Sequence, residues 1–311
     1  MDKSSLRIVF MGTPKIASHV LEAMILDGYQ IVGVIAQPDR AVGRKKILQA
    51  VPTKEVALRY QIPVAQPEKI RLSYDFLYDW KPDVIITLAY GQIVPQAVLD
   101  IPKYGCLNLH GSLLPKYRGA APIQYAVIHH EKETGMTLME MTAKMDAGRM
   151  FATKKVSIDE GENATSLFEK MAVAAKTLIL EQLPHYIDGE LQGIEQDEEK
   201  VTFAPTIKKE QEHLSLDLPV EDFLGWIKGL SDEPGGYVIV DGLKYKILKA
   251  RLFDHHNGEI GTWEIVDKKR LLLQVKDGRI EVLEIQKEGK PRMSVASFLN
   301  GASQFAQKKA M

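Results

Sequence analysis

Asn108 and His110 stand two residues apart in Cys106-Leu-Asn-Leu-His110. Strand side chains alternate with period two, so on a β-strand both would share one face while Leu107 and Leu109 took the other. An amide donor suits an oxygen that gains negative charge in a transition state, and an imidazole takes up or returns a proton near neutral pH. Together they suit attack on a carbonyl. Alone, the pair also reads as a capping Asn and a hydrogen-bonded core His. Asp146, in Lys144-Met-Asp-Ala-Gly148, follows the next strand candidate and could reach the imidazole or a shared water. It would serve equally as a turn-forming Asp ahead of Gly148.

The elements that must position these groups follow from the hydrophobic pattern. From Leu6 to about Leu183 short apolar runs alternate with longer amphipathic ones, as expected of helices covering a mostly parallel sheet. Strands are predicted at residues 6–10, 31–36, 84–88, 106–110, 137–141 and 151–156. Between the first two, Ile16, Val20, Ala23 and Met24 give a helix one apolar face, and Asp27-Gly28 ends it. A long helix is predicted over 164–183, with Asn163 as its cap and Pro184 beyond its end. In open α/β sheets ligands bind outside the carboxyl ends of the strands, which is where His110-Gly-Ser112 leaves the sheet.

After about residue 189 the grammar changes. Residues 189–212 are polar and read as a surface linker, with Pro205 adding stiffness. Beyond it Asp241-Gly242 and Lys276-Asp-Gly278 each separate two apolar runs, a strong hairpin signal because the tight turn needs positive φ. The expected organisation is an α/β catalytic domain over 1–206, a Rossmann-like mostly parallel sheet, followed over 207–311 by a small OB-like antiparallel β-barrel, expected by fold analogy to bind nucleic acid. Short helices are expected near 220–228 and 295–306.

Composition bounds the rest. The 311 residues hold 40 Lys plus Arg against 41 Asp plus Glu, so no sequence-wide basic signal for nucleic acid exists. Any such interaction must come from local clusters such as Arg44-Lys-Lys46, which also read as an exposed charged loop. A lone Cys106 gives no internal disulfide, and neither a signal peptide nor an apolar run of about 18 residues is visible. A cytoplasmic protein without membrane contact is expected. Gly12-Thr-Pro14 lacks the Gly-x-Gly-x-x-Gly of a dinucleotide fold. The adjacent pairs His129-His130 and His255-His256 lack zinc-ligand spacing, so no metal is expected. Tyr104, Trp226 and Trp263 are expected to be packing residues.

The block Leu113-Leu-Pro-Lys-Tyr-Arg-Gly-Ala-Ala-Pro-Ile-Gln124 that follows Asn108 and His110 resembles the folate site of the 10-formyltetrahydrofolate-dependent formyltransferases, in particular those acting on methionyl-tRNA. Phe10-Met-Gly-Thr-Pro14, Gln37-Pro-Asp-Arg40 and Thr134-Gly-Met-Thr-Leu-Met-Glu-Met141 match in the same order, so the resemblance spans nearly the whole chain. It implies that Asn108, His110 and Asp146 form the catalytic set and that Ser112, Leu113, Leu114 and Pro115 contact tetrahydrofolate. It further implies that Arg44, Lys45 and Lys46 reach the acceptor end of the tRNA, by phosphate contacts. Two positions depart from the family's pattern: Arg149 stands where a second acid is usual, and Ala41 where Pro is common. The expected reaction moves a formyl group from 10-formyltetrahydrofolate to the α-amine of initiator methionyl-tRNA for translation initiation. The alternative is a sugar amine or nucleotide intermediate as acceptor.

Overall fold

The computed structural model describes residues 2–42, 47–302 and 304–311. They divide into two compact units: 1–122 with 133–157 and 168–205, and 123–132 with 158–167 and 206–311.

The first unit is built on a seven-stranded sheet. In chain order it holds β1 Arg7–Gly12, α1 Lys15–Leu26, β2 Gln30–Ile35, a two-stranded hairpin of β3 Arg40–Val42 and β4 Ile47–Gln49, α2 Pro52–Arg59 and β5 Val64–Ala65. There follow α3 Phe76–Trp80, β6 Val84–Leu88, α4 Gln96–Leu99, β7 Cys106–His110, β8 Glu133–Glu140, β9 Met150–Ser157 and, from residue 168 on, α6 Ala164–Ile187, while all of α5 Pro122–Ile128 but its first residue belongs to the second unit. The strand order is β5-β2-β1-β6-β7-β8-β9. The first five strands run parallel, whereas β8 and β9 are antiparallel to their neighbours. The chain grows from β1 to one side through β2 and β5, then returns to the other side through β6. The crevice beside β1 is therefore the switch point at which such sheets bind ligands.

The parallel strands are buried on both faces, as unbroken runs such as Val84–Leu88 require. Val9, Met11, Ile35, Ile85 and Cys106 form a core on the face that carries Asn108 and His110. Among the features that the sequence missed are these two. The stretch 38–50, around the cluster expected to lie on an exposed charged loop, holds the β3–β4 hairpin, whose Ile47 and Leu48 are exposed and so give no buried-face pattern. Helix α6 also runs through Pro184 to Ile187. Pro removes one backbone bond, a loss of about 3 kcal/mol in an isolated helix interior. Interactions beyond it offset that cost: the Tyr186 hydroxyl donates to the Tyr104 carbonyl at 2.8 Å, and its ring meets Phe151 edge-on. Asn163 caps the helix as expected, accepting from the Ser166 amide at 2.9 Å.

The second unit carries α7 Val220–Gly229 and a six-stranded antiparallel sheet. Its strands are β10 Tyr237–Val240, β11 Leu243–Asp254, β12 Trp263–Val266, β13 Arg270–Gln274, β14 Arg279–Lys287 and β15 Met293–Ser294, followed by α8 Val295–Leu299. The β10–β11 turn has Asp241 at φ 50° and Gly242 at φ 73°, the two positive values that Asp-Gly predicts. The last residues join the two ends of the sheet. Met311 exchanges backbone bonds with Ile239 at 2.8 and 2.9 Å, and the Ala310 amide donates to the Gly261 carbonyl just ahead of β12. No helix among the described residues is long and apolar enough to cross a membrane.

Candidate active site

β7 ends the parallel part of the sheet, and its pairings fix what surrounds Asn108 and His110. Asn108 lies opposite Thr87 on β6 and Met139 on β8, and His110 lies opposite Thr137. Asn108 is half-buried and His110 is 5% exposed, so the amide keeps an open side while the imidazole is largely withdrawn from water. The Thr87 hydroxyl beside them is buried and has no partner among the described residues.

Two loops meet the imidazole. From the loop after β7, the Tyr117 carbonyl lies 2.9 Å from His110 Nε2. A carbonyl only accepts, so Nε2 carries the proton there and Nδ1 is the nitrogen left for exchange. From the loop between β8 and β9, Asp146 Oδ2 lies 3.7 Å from Nδ1, and the same oxygen accepts from the Gly119 amide at 2.8 Å. Asp146 and Tyr117 have φ of 50° and 61°, left-handed values that non-glycine residues adopt only where their surroundings hold them there. The structure thus brings Asn108, His110 and Asp146 together.

The other expected site residues divide. Ser112 is fully buried and spends its hydroxyl on the Lys116 carbonyl at 2.6 Å, and Leu114 is buried with its amide directed to the Thr137 hydroxyl at 3.3 Å. Leu113 and Pro115 retain exposed surface. Arg44, Lys45 and Lys46 lie outside the described residues. Arg149 binds Glu140 through two nitrogens at 2.9 and 3.2 Å. A cavity of about 730 Å³ opens at the carboxyl ends of β1, β2 and β6, lined among others by Thr13, Gln37, Arg40, Tyr90 and Gln92. Its wall is tied together by Gln37, which donates to the Tyr90 carbonyl at 3.1 Å, and by Asp39, which binds Lys54 and Gln66. Those bonds hold the Asp39 carboxyl below its ordinary range, the Lys54 bond foremost.

Sequence reasoning missed several groups. The Tyr117 carbonyl and Gly119 amide carry no residue-type signal. Thr137, which also donates to the Ser112 carbonyl at 2.7 Å, stood in a matched motif without a role. Arg118, 1% exposed, and Gln196, 8% exposed, form a buried pair, and Gln196 belongs to the stretch read as a surface linker.

Comparison with known proteins identifies the class. Residues 6–183 match the formyl transferase family, and residues 206–303 match its C-terminal domain. This chain belongs to the formyl transferase family. Along nearly its whole length it is similar to curated relatives called methionyl-tRNA formyltransferase. It is 44% identical over 300 residues to that of Bacillus subtilis and 42% over 298 residues to that of Lactobacillus johnsonii, with 94 to 95% of each chain covered. Among solved structures, an N-formyltransferase from Helicobacter canadensis, in complex with folinic acid and dTDP-3-aminofucose, shares the fold at 19% identity. Its TM-score is 0.68, covering 91% of this chain and 99% of that one. A methionyl-tRNA formyltransferase from Clostridium thermocellum does so at 17% identity and TM-score 0.54, covering 80% and 94%.

Proposed function

We propose that this chain transfers the formyl group of 10-formyltetrahydrofolate to the α-amino group of initiator methionyl-tRNA, for translation initiation. The observation that carries the reading is the placement of a half-exposed Asn108 beside a buried His110 whose free nitrogen faces Asp146. The similarity to methionyl-tRNA formyltransferases over 94 to 95% of the chain supplies the acceptor.

An α-amine has a pKa near ~7.7 to 8.0 and an ester neighbour lowers it, so a large share is neutral and nucleophilic at pH 7. Its nitrogen bonds the formyl carbon. Asn108 donates to the formyl oxygen as that oxygen gains negative charge. His110 takes the proton the amine sheds, at Nδ1, and Asp146 stabilises the imidazolium so formed. The same proton returns to the folate nitrogen as its bond to the formyl carbon breaks, which leaves tetrahydrofolate and formylmethionyl-tRNA. The 3.7 Å gap between Nδ1 and Asp146 is longer than a hydrogen bond, as such pairs often are before substrate tightens them. Leu113 and Pro115 offer the flat donor an apolar lip, while Ser112 and Leu114 shape the turn beneath it.

One assay tests this: 10-formyltetrahydrofolate with charged initiator tRNA, with a sugar amine, or with neither, measuring formyl transfer. Transfer to the tRNA alone is expected. Transfer to the sugar amine and not the tRNA would replace the acceptor; binding of either without turnover would remove the enzymatic reading.

A further inference from the structure

The residues after α6 leave the sheet and come back to the site. The Ile194 and Met150 backbones exchange bonds at 2.8 and 2.9 Å, which brings the chain alongside the loop that carries Asp146. From there Gln196 turns inward. Its Nε2 donates to the carbonyls of Asp146 and Gly148, both at 2.8 Å, and its Oε1 accepts from Arg118 Nε at 3.0 Å. A few residues later, residues 202–204 run beside 117–121. The Thr202 hydroxyl accepts from the Tyr117 amide and its carbonyl from the Arg118 amide, both at 2.9 Å. Ala204 exchanges bonds with the Arg118 carbonyl and the Ala121 amide at 2.8 and 3.1 Å.

These bonds meet at the two groups that hold His110. The Tyr117 carbonyl fixes one ring nitrogen and the Asp146 carboxylate faces the other, yet they lie on different loops, each with a left-handed residue at the point of contact. Gln196 is hydrogen-bonded to both loops at once. A buried amide with one acceptor and two donors committed has a fixed orientation, so it sets the distance between the loops and does not merely fill space. Glu198 completes the arrangement from outside, binding Arg118 at 2.9 Å and Lys144 at 3.3 Å.

We propose that Gln196, backed by Arg118 and the Thr202 strap, is a positioning residue for formyl transfer. It holds the Asp146 loop against the Tyr117 loop so that His110 stays between its two partners. The proposal rests on the formyl-transfer reading of the site. Small displacements of a catalytic pair cost rate far more than they cost binding, because the reacting geometry is met only in the transition state. Of the charged groups on the two loops, Asp146 faces the imidazole, and Gln196 bonds the Asp146 backbone carbonyl and the Arg118 guanidinium, which Glu198 links to Lys144.

Three full-length variants test it. Gln196→Leu removes both functions of the amide. Gln196→Glu keeps an acceptor for Arg118 and loses the donor to the two carbonyls. Thr202→Val breaks only the Tyr117 bond and keeps the side-chain shape. In formyl transfer to charged initiator tRNA, the Gln196 variants are expected to lose about tenfold or more in kcat, and Thr202→Val about threefold, with KM for either substrate within about twofold of wild type. The limb of the pH–kcat profile that reports His110 is expected to move in each. Wild-type kcat and an unmoved profile in any variant that folds would overturn the proposal, leaving the strap a structural feature. The nuclear resonance titration of the His110 ring needs no substrate and separates the two readings. If the wild-type chain transfers formyl to no acceptor, the functional reading fails. A displaced His110 titration in Gln196→Glu or Thr202→Val still supports the positioning, and an identical one overturns it.

Discussion

His110 commits one ring nitrogen to the Tyr117 carbonyl, so any proton it moves passes through the nitrogen that faces Asp146. That division of roles yields distinct expectations for the three side chains. On the proposed mechanism, Asn108→Ala removes a donor to the developing oxyanion and is expected to cost about 2.7 to 4 kcal/mol in the transition state. His110→Ala is expected to slow transfer by about 10² to 10⁴. Folate affinity should change little in either. Transfer within about threefold of wild type in both, at saturating substrates, would remove them from the chemistry. Asp146→Asn keeps an acceptor for the Gly119 amide but loses the charge that, on the proposed mechanism, balances an imidazolium, so turnover is expected to fall while folate affinity stays near wild type. A parallel fall in affinity would make Asp146 a binding or structural group instead. That Asn108 and His110 share one strand face was legible in the sequence because period two is a local property of a strand, but a chemical role for them rested on the family's motif. The reading of Asp146 as more than a turn Asp rested on the same motif. Its backbone partners could not be read at all, since a carbonyl and an amide are the same at every residue.

At the scale of elements, the strand and helix pattern of the first unit was legible because long apolar runs leave few alternatives. Both Gly-containing hairpins were legible from their turn chemistry. The misreadings at Pro184 and in the stretch 189–212 share a cause: each lay where a tertiary interaction overrides local composition. Residues 195–200 look like a solvated linker, and five of the six side chains are charged and exposed, yet Gln196 among them is buried against two loops. Gly119 shows the same coupling from the other side. Its φ is 124°, and a Cβ there would stand 2.6 Å from the Ala204 carbonyl oxygen, backbone that cannot swing aside. Gly119→Ala is therefore expected to push the strap away and withdraw the amide from Asp146, lowering kcat with a smaller fall in melting temperature. Wild-type turnover in a folded Gly119→Ala chain would show the strap to be dispensable. In the second unit, Glu281 on β14 is nearly buried between Arg270 and Arg251. The Arg270 hydrogen bonds foremost, then those of Arg251, hold its carboxyl below the ordinary range. A depressed carboxyl stabilises the fold above its unfolded pKa, about 4.3, and that contribution is lost as pH falls through the folded value. Glu281→Gln is expected to cost about 1.5 to 3 kcal/mol at pH 7, from the charged hydrogen bonds it removes. The gap in denaturation midpoint should narrow on acidification below about pH 4, and a gap independent of pH would show that charge is not what Glu281 contributes.

At the scale of the whole chain, the second unit is not continuous in sequence. It takes in residues 123–132 and 158–167 as well as everything from 206, and α7 packs closely on the first of these. A Cβ at Gly225 or Gly229 would stand 2.4 Å from the Ile128 carbonyl oxygen or its Cγ1, and Trp226 meets the Tyr125 ring edge-on at 6.3 Å. Cutting the chain at 206 would strip those partners from α5 and expose Tyr125 and Ile128, both buried in the intact chain. The truncated chain is therefore expected to melt well below the intact one and to aggregate, so weaker tRNA binding on truncation would say nothing about where tRNA lies. An expected division of labour, with the chemistry in residues 1–206 and tRNA affinity from the second domain and the Arg44-Lys45-Lys46 cluster, is better tested by substitution. Replacing Arg44, Lys45 and Lys46 together by Ala leaves both units whole, and near-neutral net charge means that attraction to a polyanion must come from such local clusters. Every phosphate interaction that the substitution removes is expected to flatten the slope of log affinity against log salt by about 0.7 to 0.9 units. The triple variant should bind initiator tRNA more weakly at low salt, with a slope shallower by the equivalent of one to three phosphates. Any hydrolysis of the formyl donor without tRNA should be retained, because the substitution changes none of Asn108, His110 and Asp146. A wild-type slope and affinity in the triple variant would place the phosphate-binding groups elsewhere, and the exposed basic residues of the second unit would be the next to substitute.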